Sequence, residues 1–308
     1  MSELVIETKG LTKYFGRTLA LDHLDLQVKE GSIFGLLGRN GAGKTTAIKM
    51  ILGLLQPTTG SATVFGCNCQ YLTPAIRQRI GYVTEGHRLH RWMTIGRLEQ
   101  YQRAFFPGRW DTKLFGDMLD YFQFSRKKKI KHLSNGQRAQ VSLAITLAPN
   151  PELLIMDDPT LGLDAAIRRQ FLEGMVQLIQ SQGRTIIFSS HILSDVERVA
   201  DRLAVIDNGV LRADCSIDEF RSAVGKARFS FPGQPPEQVD IPGLLNQKRG
   251  DGTLEITFVG TSGDDLSQWA SRAGATDYKI EKISMEDQFI EYTAPAAGER
   301  LFQWEVAK

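Results

Sequence analysis

Residues 38–45 read Gly38-Arg39-Asn40-Gly41-Ala42-Gly43-Lys44-Thr45 and fit the spacing G-x-x-x-x-G-K-[ST] of a phosphate-binding loop. Its glycines let backbone N–H groups approach a triphosphate where a Cβ would interfere. Lys44 offers a cation for the β- and γ-phosphates, and Thr45 offers a hydroxyl for Mg²⁺. An apolar strand (33–37) precedes the loop and a helix (46–52) follows it. This context predicts phosphate at a helix N-terminus, where unpaired N–H groups favour an anion.

The overall composition is that of a globular protein with a core. The chain has 308 residues, enough for about two domains, with 42% hydrophobic and 23% charged residues. A net charge of +2 argues against an electrostatically driven nucleic-acid binder, so we expect no nucleic-acid partner. The chain contains no apolar stretch of about 18 residues, and its start lacks the regions of a signal peptide. We therefore expect a cytosolic protein, or one held at a membrane only by a partner.

Two carboxylates follow a second buried strand. Leu153-Leu154-Ile155-Met156 is typical of a parallel core strand and ends at Asp157-Asp158-Pro159. A carboxylate at this end of a strand, beside a phosphate loop, is where Mg²⁺ would be held. The second carboxylate could orient or deprotonate a water, or both could simply cap the next turn. A further strand (184–188) is followed by Ser189-Ser190-His191, where a ligand-facing histidine and a structural one are equally open.

Two other stretches each allow two interpretations. Tyr14 lies in a predicted turn, where its ring could stack on a purine base or end a strand half-buried. Ser134 and Gln137 fit a capping box at a helix start. The same serine, with Gly136 and free N–H groups, could form a second phosphate site. Taken alone, these residues favour the cap.

Several polar residues have no evident functional setting. The basic run 126–132 lacks interleaved aromatic residues and favours a solvated face over a binding patch. His87 and His90 follow no core strand directly, so we predict that both are surface residues. The cysteines form no metal-binding pattern.

The composition changes near residue 225, and Phe231-Pro232-Gly233-Gln234-Pro235-Pro236 breaks regular structure. Beyond it, Leu254, Ile256 and Phe258 alternate as in a half-exposed strand. We predict a small α+β accessory domain over residues 226–308, without a catalytic constellation, whose role is packing or dimerisation.

The order of these motifs resembles the nucleotide-binding subunit of an ABC transporter over roughly residues 4–220. The matching positions are Tyr14 (A-loop), 38–45 (Walker A), Glu85 (Q-loop), 133–137 (signature), 153–157 (Walker B), 161–164 (D-loop) and His191 (switch histidine). Residues 283–290 resemble, more loosely, the C-terminal extension of drug- and natural-product-export ATPases.

The resemblance implies an α/β fold: a P-loop NTPase core of the ABC ATPase type over residues 1–225, with an antiparallel β subdomain and a helical subdomain at about 86–150. It implies a catalytic role for Asp158, His191 and Glu85, and Mg²⁺ binding by Thr45, Glu85 and Asp157. The implied ATP-binding residues are Tyr14, Gly38, Arg39, Asn40, Gly41, Ala42, Gly43, Lys44, Thr45, Thr46, Ser134, Gly136 and Gln137.

It also implies partners. Two such subunits meet head to tail, so that ATP on one Walker A motif is closed over by the other subunit's signature serine. This would make Ser134 a lid over the partner's γ-phosphate. A separate transmembrane permease subunit, that of an exporter, would be driven from the cytoplasmic face of the membrane. The second ATPase subunit is expected to be an identical copy of this chain, and a different chain is the alternative.

Three positions depart from the family pattern. Glu85 replaces the usual glutamine, and Asn135 replaces a signature glycine. Asp158 stands where the family has its catalytic glutamate, and it is one methylene shorter, about 1.5 Å of reach. A general base must come within about 2.6–3.2 Å of its water. We therefore hypothesise that the chain binds ATP and dimerises normally but hydrolyses ATP slowly.

Two other functions compete with a transport ATPase. One is a slow ATP-gated switch in a membrane complex, motivated by Asp158. The other is a soluble ABC protein acting on ribosomes or DNA. Such proteins usually carry two cassettes or a long coiled-coil insertion, and this chain shows neither.

Overall fold

The computed structural model describes residues 3–180 and 183–293. It contains two compact units, of which the first ends at Asp214 and the second begins at Cys215. The domain boundary after residue 225 and the limits of the helical subdomain stay predictions.

The strands of the large sheet are β1 (Leu4–Phe15), β2 (Thr18–Lys29), β3 (Ile33–Leu37), β4 (Thr59–Val64), β5 (Cys67–Asn68), β6 (Ile80–Val83), β7 (Leu153–Met156), β8 (Thr185–Ser190), β9 (Arg202–Asp207) and β10 (Val210–Ser216). Their order is β5-β4-β1-β2-β10-β9-β3-β8-β7-β6. The part made of β1, β2, β4 and β5 is antiparallel. The part made of β9, β3, β8, β7 and β6 is parallel. The predicted α/β core with an antiparallel β subdomain is therefore confirmed.

Helices connect and cover these strands. They are α1 (Lys44–Ile51), α2 (Pro74–Arg77), α3 (Ile95–Arg103), α4 (Thr112–Tyr121), α5 (Asn135–Leu147), α6 (Ala165–Gln180) and α7 (Leu193–Val199). Between β6 and β7 the chain forms the helices α3, α4 and α5 and no strand, as the helical part of the fold requires. Each of these three begins after a residue, Thr94, Asp111 or Ser134, whose side chain accepts a backbone N–H.

The parallel strands bring the motifs to one edge of the sheet. Every residue of β3, β7 and β8 is buried, as expected for strands covered on both faces. The register aligns the carboxyl ends, with Leu37 beside Ser190 and Val83 beside Met156. The segments that follow β3, β6, β7 and β8 therefore meet, because parallel strands all end at the same side of the sheet.

The second unit is a small α+β structure, as predicted. It comprises α8 (Ile217–Ala223), β11 (Val224–Ser230), β12 (Leu244–Gly250), β13 (Thr253–Val259), α9 (Gly263–Ala273), β14 (Asp277–Lys282) and α10 (Met285–Thr293). Its antiparallel sheet has the order β12-β13-β11-β14. The rings of Phe229 and Trp269 pack edge to face, 4.8 Å between centroids, in its separate core. Across the described parts of both units, we find no helix with the length and apolar character needed to cross a membrane.

Candidate active site

The loop after β3 is closely packed by the strands around it, and this packing demands two of its glycines. A Cβ on Gly38 would lie 2.4 Å from the carbonyl oxygen of Ile206 in β9. Gly43 has φ +110°, and a Cβ there would lie 2.7 Å from the carbonyl oxygen of Ala20 in β2. Only glycine fits such positions. The loop is thus held in shape by the sheet, and helix α1 begins at Lys44, two residues earlier than predicted.

Lys44 places its ammonium group inside the loop. Nζ donates hydrogen bonds to the carbonyl oxygens of Gly38 (2.7 Å) and Arg39 (3.2 Å). Burial lowers the pKa of Lys44, whereas the charges of Asp158, Asp157 and Glu85 act in the opposite direction. The Lys44 ammonium group therefore lies close enough to all three predicted carboxylates to interact with them electrostatically.

Asp157 connects three chain segments. Its Oδ1 accepts hydrogen bonds from Thr45 Oγ1 (3.0 Å) and from Ser189 Oγ (2.8 Å). The Ser189 hydroxyl oxygen in turn accepts the backbone N–H of Asp158 at 2.9 Å. The structure therefore brings together Thr45 and Asp157, two of the three predicted metal ligands. From the sequence alone, Ser189 is only part of a strand end, with no functional role predicted for it.

Asp158 and His191 form a pair beside this network. The Asp158 carboxylate lies 3.0 Å from His191 Nδ1. Asp158 is 7% exposed and has φ +43°, a left-handed conformation that aspartate adopts more readily than most residues. The backbone turns sharply here and directs the carboxylate to the histidine at the end of β8.

A cleft of about 220 Å³ lies beside these groups, of which Lys44, Thr45 and Asp158 line it and Asp157 and His191 do not. Its lining residues are Ala20, Asn40, Gly41, Ala42, Gly43, Lys44, Thr45, Thr46, Glu85 and Asp158. All of these except Ala20 are predicted site residues. Ala20 has no chemical signature in the sequence, since it lines the cleft only because β2 packs on the loop.

The predicted residues of the signature motif do not line this cleft. Ser134 Oγ accepts the N–H of Gln137, and Gln137 Oε1 accepts the N–H of Ser134, both at 3.2 Å. A Cβ on Gly136 would lie 2.9 Å from Cγ2 of Ile167, so this glycine permits the contact between α5 and α6. Within one chain these residues build a helix start. Tyr14 is 44% exposed at the end of β1 and also lies outside the cleft lining.

The prediction that His87 is a surface residue is wrong. Its side chain is buried, with 3% of the residue exposed, and Nε2 lies 3.0 Å from the carbonyl oxygen of Pro159. Burial lowers the pKa of His87. The Pro159 partner lies 72 residues away in the chain, so no local pattern could have indicated it. His90 is exposed as predicted.

A second buried contact could not be predicted from the sequence. Thr160 Oγ1 donates a hydrogen bond to Asp195 Oδ2 at 2.7 Å, and Arg168 Nε lies 3.3 Å from Asp195 Oδ1. Burial raises the pKa of Asp195, against the effects of the Thr160 hydrogen bond and the Arg168 charge. This group ties the segment after Asp158 to helix α7, which follows His191.

Comparison with known proteins agrees with this geometry. The family model described as ABC transporter matches residues 21–161. The chain is 36% identical over 219 residues to the bacitracin transport ATP-binding protein of Bacillus licheniformis, covering 70% of this chain and 71% of that protein. It is 34% identical to the daunorubicin/doxorubicin resistance ATP-binding protein of Streptomyces peucetius, covering 71% of this chain and 68% of that protein.

Solved structures show the same fold. An ATP-binding subunit of an ABC transporter superposes with a TM-score of 0.63 at 27% identity, covering 70% of this chain and 92% of that one. A dimeric ATP-binding cassette bound to ADP and Pi superposes with a TM-score of 0.62 at 24% identity, covering 69% of this chain and 98% of that one. The chain therefore belongs to the ABC transporter family and is one of its ATP-binding subunits, an ATPase.

Proposed function

We propose that this subunit hydrolyses ATP at a head-to-tail dimer interface and thereby drives the transmembrane subunit of an exporter. The observation that carries the proposal is the meeting of Lys44, the Thr45–Asp157 pair and the Asp158–His191 pair at one edge of the sheet. A phosphate-binding cation, a hydroxyl–carboxylate pair and a carboxylate base beside a histidine are the parts that phosphoryl transfer to water requires.

The cleft holds the triphosphate in this proposal. Backbone N–H groups of the loop and the start of α1 face an anion favourably, and Lys44 adds a full positive charge. Tyr14 stays a proposed contact for the base, for which its partly exposed ring is suitably accessible.

Mg²⁺ fits the donors present, and Thr45 and Asp157 would hold it. Both offer oxygen atoms, which Mg²⁺ prefers, and it is usually bound by one or two protein groups together with phosphates and waters. Among the described residues no cluster of three or more His, Cys, Asp or Glu side chains forms a metal site by itself. When bound, the ion would supply positive charge that offsets the negative charge of the phosphates. Glu85 lines the same cleft and is the proposed third contact.

Asp158 is the proposed base. Its carboxylate orients the attacking water and accepts a proton from it. His191 donates Nδ1–H to the carboxylate, which fixes the orientation of the ring and directs Nε2 away from that carboxylate. A histidine held in this way can contact the γ-phosphate as charge develops there.

The second subunit completes the site. Ser134, Gly136 and Gln137 start helix α5 and lie outside their own chain's cleft lining. Ser134 is exposed, and a helix N-terminus carries unpaired N–H groups that attract an anion. We propose that these groups cover the phosphate held by the partner subunit, which is an identical copy or a different chain.

The direction of transport is inferred from the relatives. Two of them are named for bacitracin transport and for daunorubicin/doxorubicin resistance. By similarity to these relatives we propose an exporter with its ATPase at the cytoplasmic face of the membrane, in which the membrane subunit would select the transported compound. Neither a slow ATP-gated switch nor a role on ribosomes or DNA finds support among these relatives.

Steady-state ATPase activity tests the proposal. Wild type, alone and with any membrane protein that co-purifies, should hydrolyse ATP, and Lys44→Ala should lose the activity because the phosphates lose their cation. Hydrolysis that survives in Lys44→Ala, or co-purification with RNA in place of a membrane protein, would contradict it.

A further inference from the structure

His87 joins the two segments that carry Glu85 and Asp158. Its N–H donates to the carbonyl oxygen of Thr84 at 3.2 Å, closing a turn with Glu85 inside it. His87 itself has φ +47°, and its ring lies in the interior. There Nε2 meets the carbonyl oxygen of Pro159 at 3.0 Å. One ring therefore contacts the residue directly after the proposed base.

The hydrogen-bonding pattern of this ring is asymmetric. A carbonyl oxygen only accepts, so Nε2 carries the proton and donates it to Pro159. Nδ1 is buried, and no hydrogen-bond partner for it is found in the described part of the chain. A buried nitrogen without a partner is unfavourable, so packing alone does not explain a histidine here.

The segment that His87 contacts is held at three successive residues. The N–H of Asp158 donates to Ser189 Oγ, the carbonyl oxygen of Pro159 accepts from His87, and the hydroxyl of Thr160 donates to Asp195. The partners in β8 and α7 belong to the side of the site that carries His191. Of these three contacts, the one from His87 comes from the side that carries Glu85.

We propose that His87 is a positioning residue for ATP hydrolysis. By holding the carbonyl group of Pro159, His87 keeps the left-handed turn at Asp158 in place. It thereby sets the distance of the short Asp158 carboxylate from the water and from His191. It also keeps this carboxylate in register with Glu85 across the cleft. The inference rests on the proposed function, since it assigns His87 to the same base.

Two amide substitutions separate positioning from packing. In His87→Gln the side-chain NH₂ can occupy the place of Nε2 and still donate to Pro159. In His87→Asn the same amide is one methylene shorter and falls short of that carbonyl, while asparagine accepts the positive φ. We expect kcat to fall roughly tenfold or more in His87→Asn, as for a small misplacement of a catalytic group. His87→Gln should stay within about threefold of wild type.

Three further measurements complete the test. KM for ATP should change less than about twofold in both variants, because His87 does not line the cleft. His90→Asn, an exposed histidine of the same segment, is the matched control and should behave as wild type. In an Asp158→Glu background the loss from His87→Asn should shrink, because a longer carboxylate depends less on the turn.

Equal kcat values for the Asn and Gln variants would overturn the inference, as would an undiminished loss in the Asp158→Glu background. The ATP hydrolysis rates of wild type and Lys44→Ala, measured in the same experiment, test the proposed function separately. If Lys44-dependent hydrolysis is present and His87→Asn matches wild type, only the inference about His87 fails. If that hydrolysis is absent, both fail.

Discussion

As the proposed base, Asp158 would have to reach its water with a side chain one methylene shorter than that of the family's glutamate. The structure gives it a buried carboxylate, a sharp backbone turn and a histidine partner at 3.0 Å. These features fix the position of the carboxylate but do not extend its reach. The hypothesis of slow hydrolysis is thus compatible with an ordinary ATPase cycle, in which the proposed base would be competent but not optimal.

Lengthening this side chain is the direct prediction at the residue scale. Asp158→Glu should raise kcat, by up to about tenfold, because the carboxylate moves into the range from which a base removes a proton. Steady-state kinetics at saturating ATP measure the change, with Asp158→Asn as the inactive reference. An unchanged or lower kcat in Asp158→Glu would show that the turn is adapted to aspartate and would count against slow hydrolysis.

At the scale of elements, β6 and β7 are joined at their start by an ion pair. Arg79 Nη2 lies 2.7 Å from Glu152 Oε2, and both side chains are partly exposed. The hydrogen bond from Arg79, with smaller help from Arg109, holds the pKa of Glu152 below its ordinary value, against the effect of burial. A lowered pKa in the folded state means that the ionised form stabilises the fold.

This pair makes stability depend on pH. The contribution of Glu152 is fully present above its unfolded pKa of about 4.3 and is lost as the pH falls through the lower folded pKa. Glu152→Gln should reduce the free energy of unfolding at pH 7 by up to about 1 kcal/mol, typical of exposed pairs. Urea unfolding between pH 7 and 3.5 measures the difference, which should narrow below about pH 4.3. A difference that stays constant throughout would contradict this assignment, and the exposed Glu237→Gln is the control.

Helices α5 and α6 meet where Gly136 leaves room for Ile167. Gly136→Ala should cost about 1–3 kcal/mol, because the new methyl group would lie within 3 Å of the isoleucine. Gly116→Ala in α4 is the matched control. Its nearest neighbour would lie 3.7 Å away, and alanine favours a helix interior.

Thermal unfolding of both variants, and of Gly136→Ala combined with Ile167→Ala, checks the cause. Removing the isoleucine side chain should recover most of the loss if the clash is responsible. Equal destabilisation with and without Ile167 would instead indicate that the glycine is needed for some other reason.

At the scale of the whole molecule, the two proposed halves of an ATP site lie in separate places on the subunit. The cleft and the residues that start α5 do not meet within one chain. The proposed site is therefore complete only when two subunits associate, and ATP should hold them together until it is hydrolysed.

Association should consequently depend on ATP and on Ser134. Asp158→Asn, which lacks the proposed base, should form a stable dimer with ATP and Mg²⁺ on size exclusion with light scattering, but not with ADP. Adding Ser134→Arg should abolish this dimer, because a bulky side chain replaces the proposed lid. A dimer that persists unchanged in Ser134→Arg would place the interface elsewhere. If the natural partner is a different chain, a mixture of the two chains should show the same dependence of dimerisation on ATP and on Ser134.

The proximity of most residues of the candidate site could be predicted because they follow strands or loops of recognisable pattern. The glycine-rich loop, Asp157, Asp158 and His191 each come directly after an apolar core strand. Parallel strands end at one edge, so proximity follows from strand identity alone. The small α+β unit was likewise predicted from alternation within its strands.

Local sequence by itself determined the core strands that carry the motifs, the order of the motifs and the chemical types gathered at the cleft, because hydrophobic period and motif spacing act over a few residues. Only the tertiary structure decided that His87 is buried against Pro159, that Gly136 makes room for Ile167 and that Ala20 lines the cleft. Each of these depends on packing between segments distant in the chain. No short-range pattern encodes such contacts, because they arise only when the sheet and its helices have assembled.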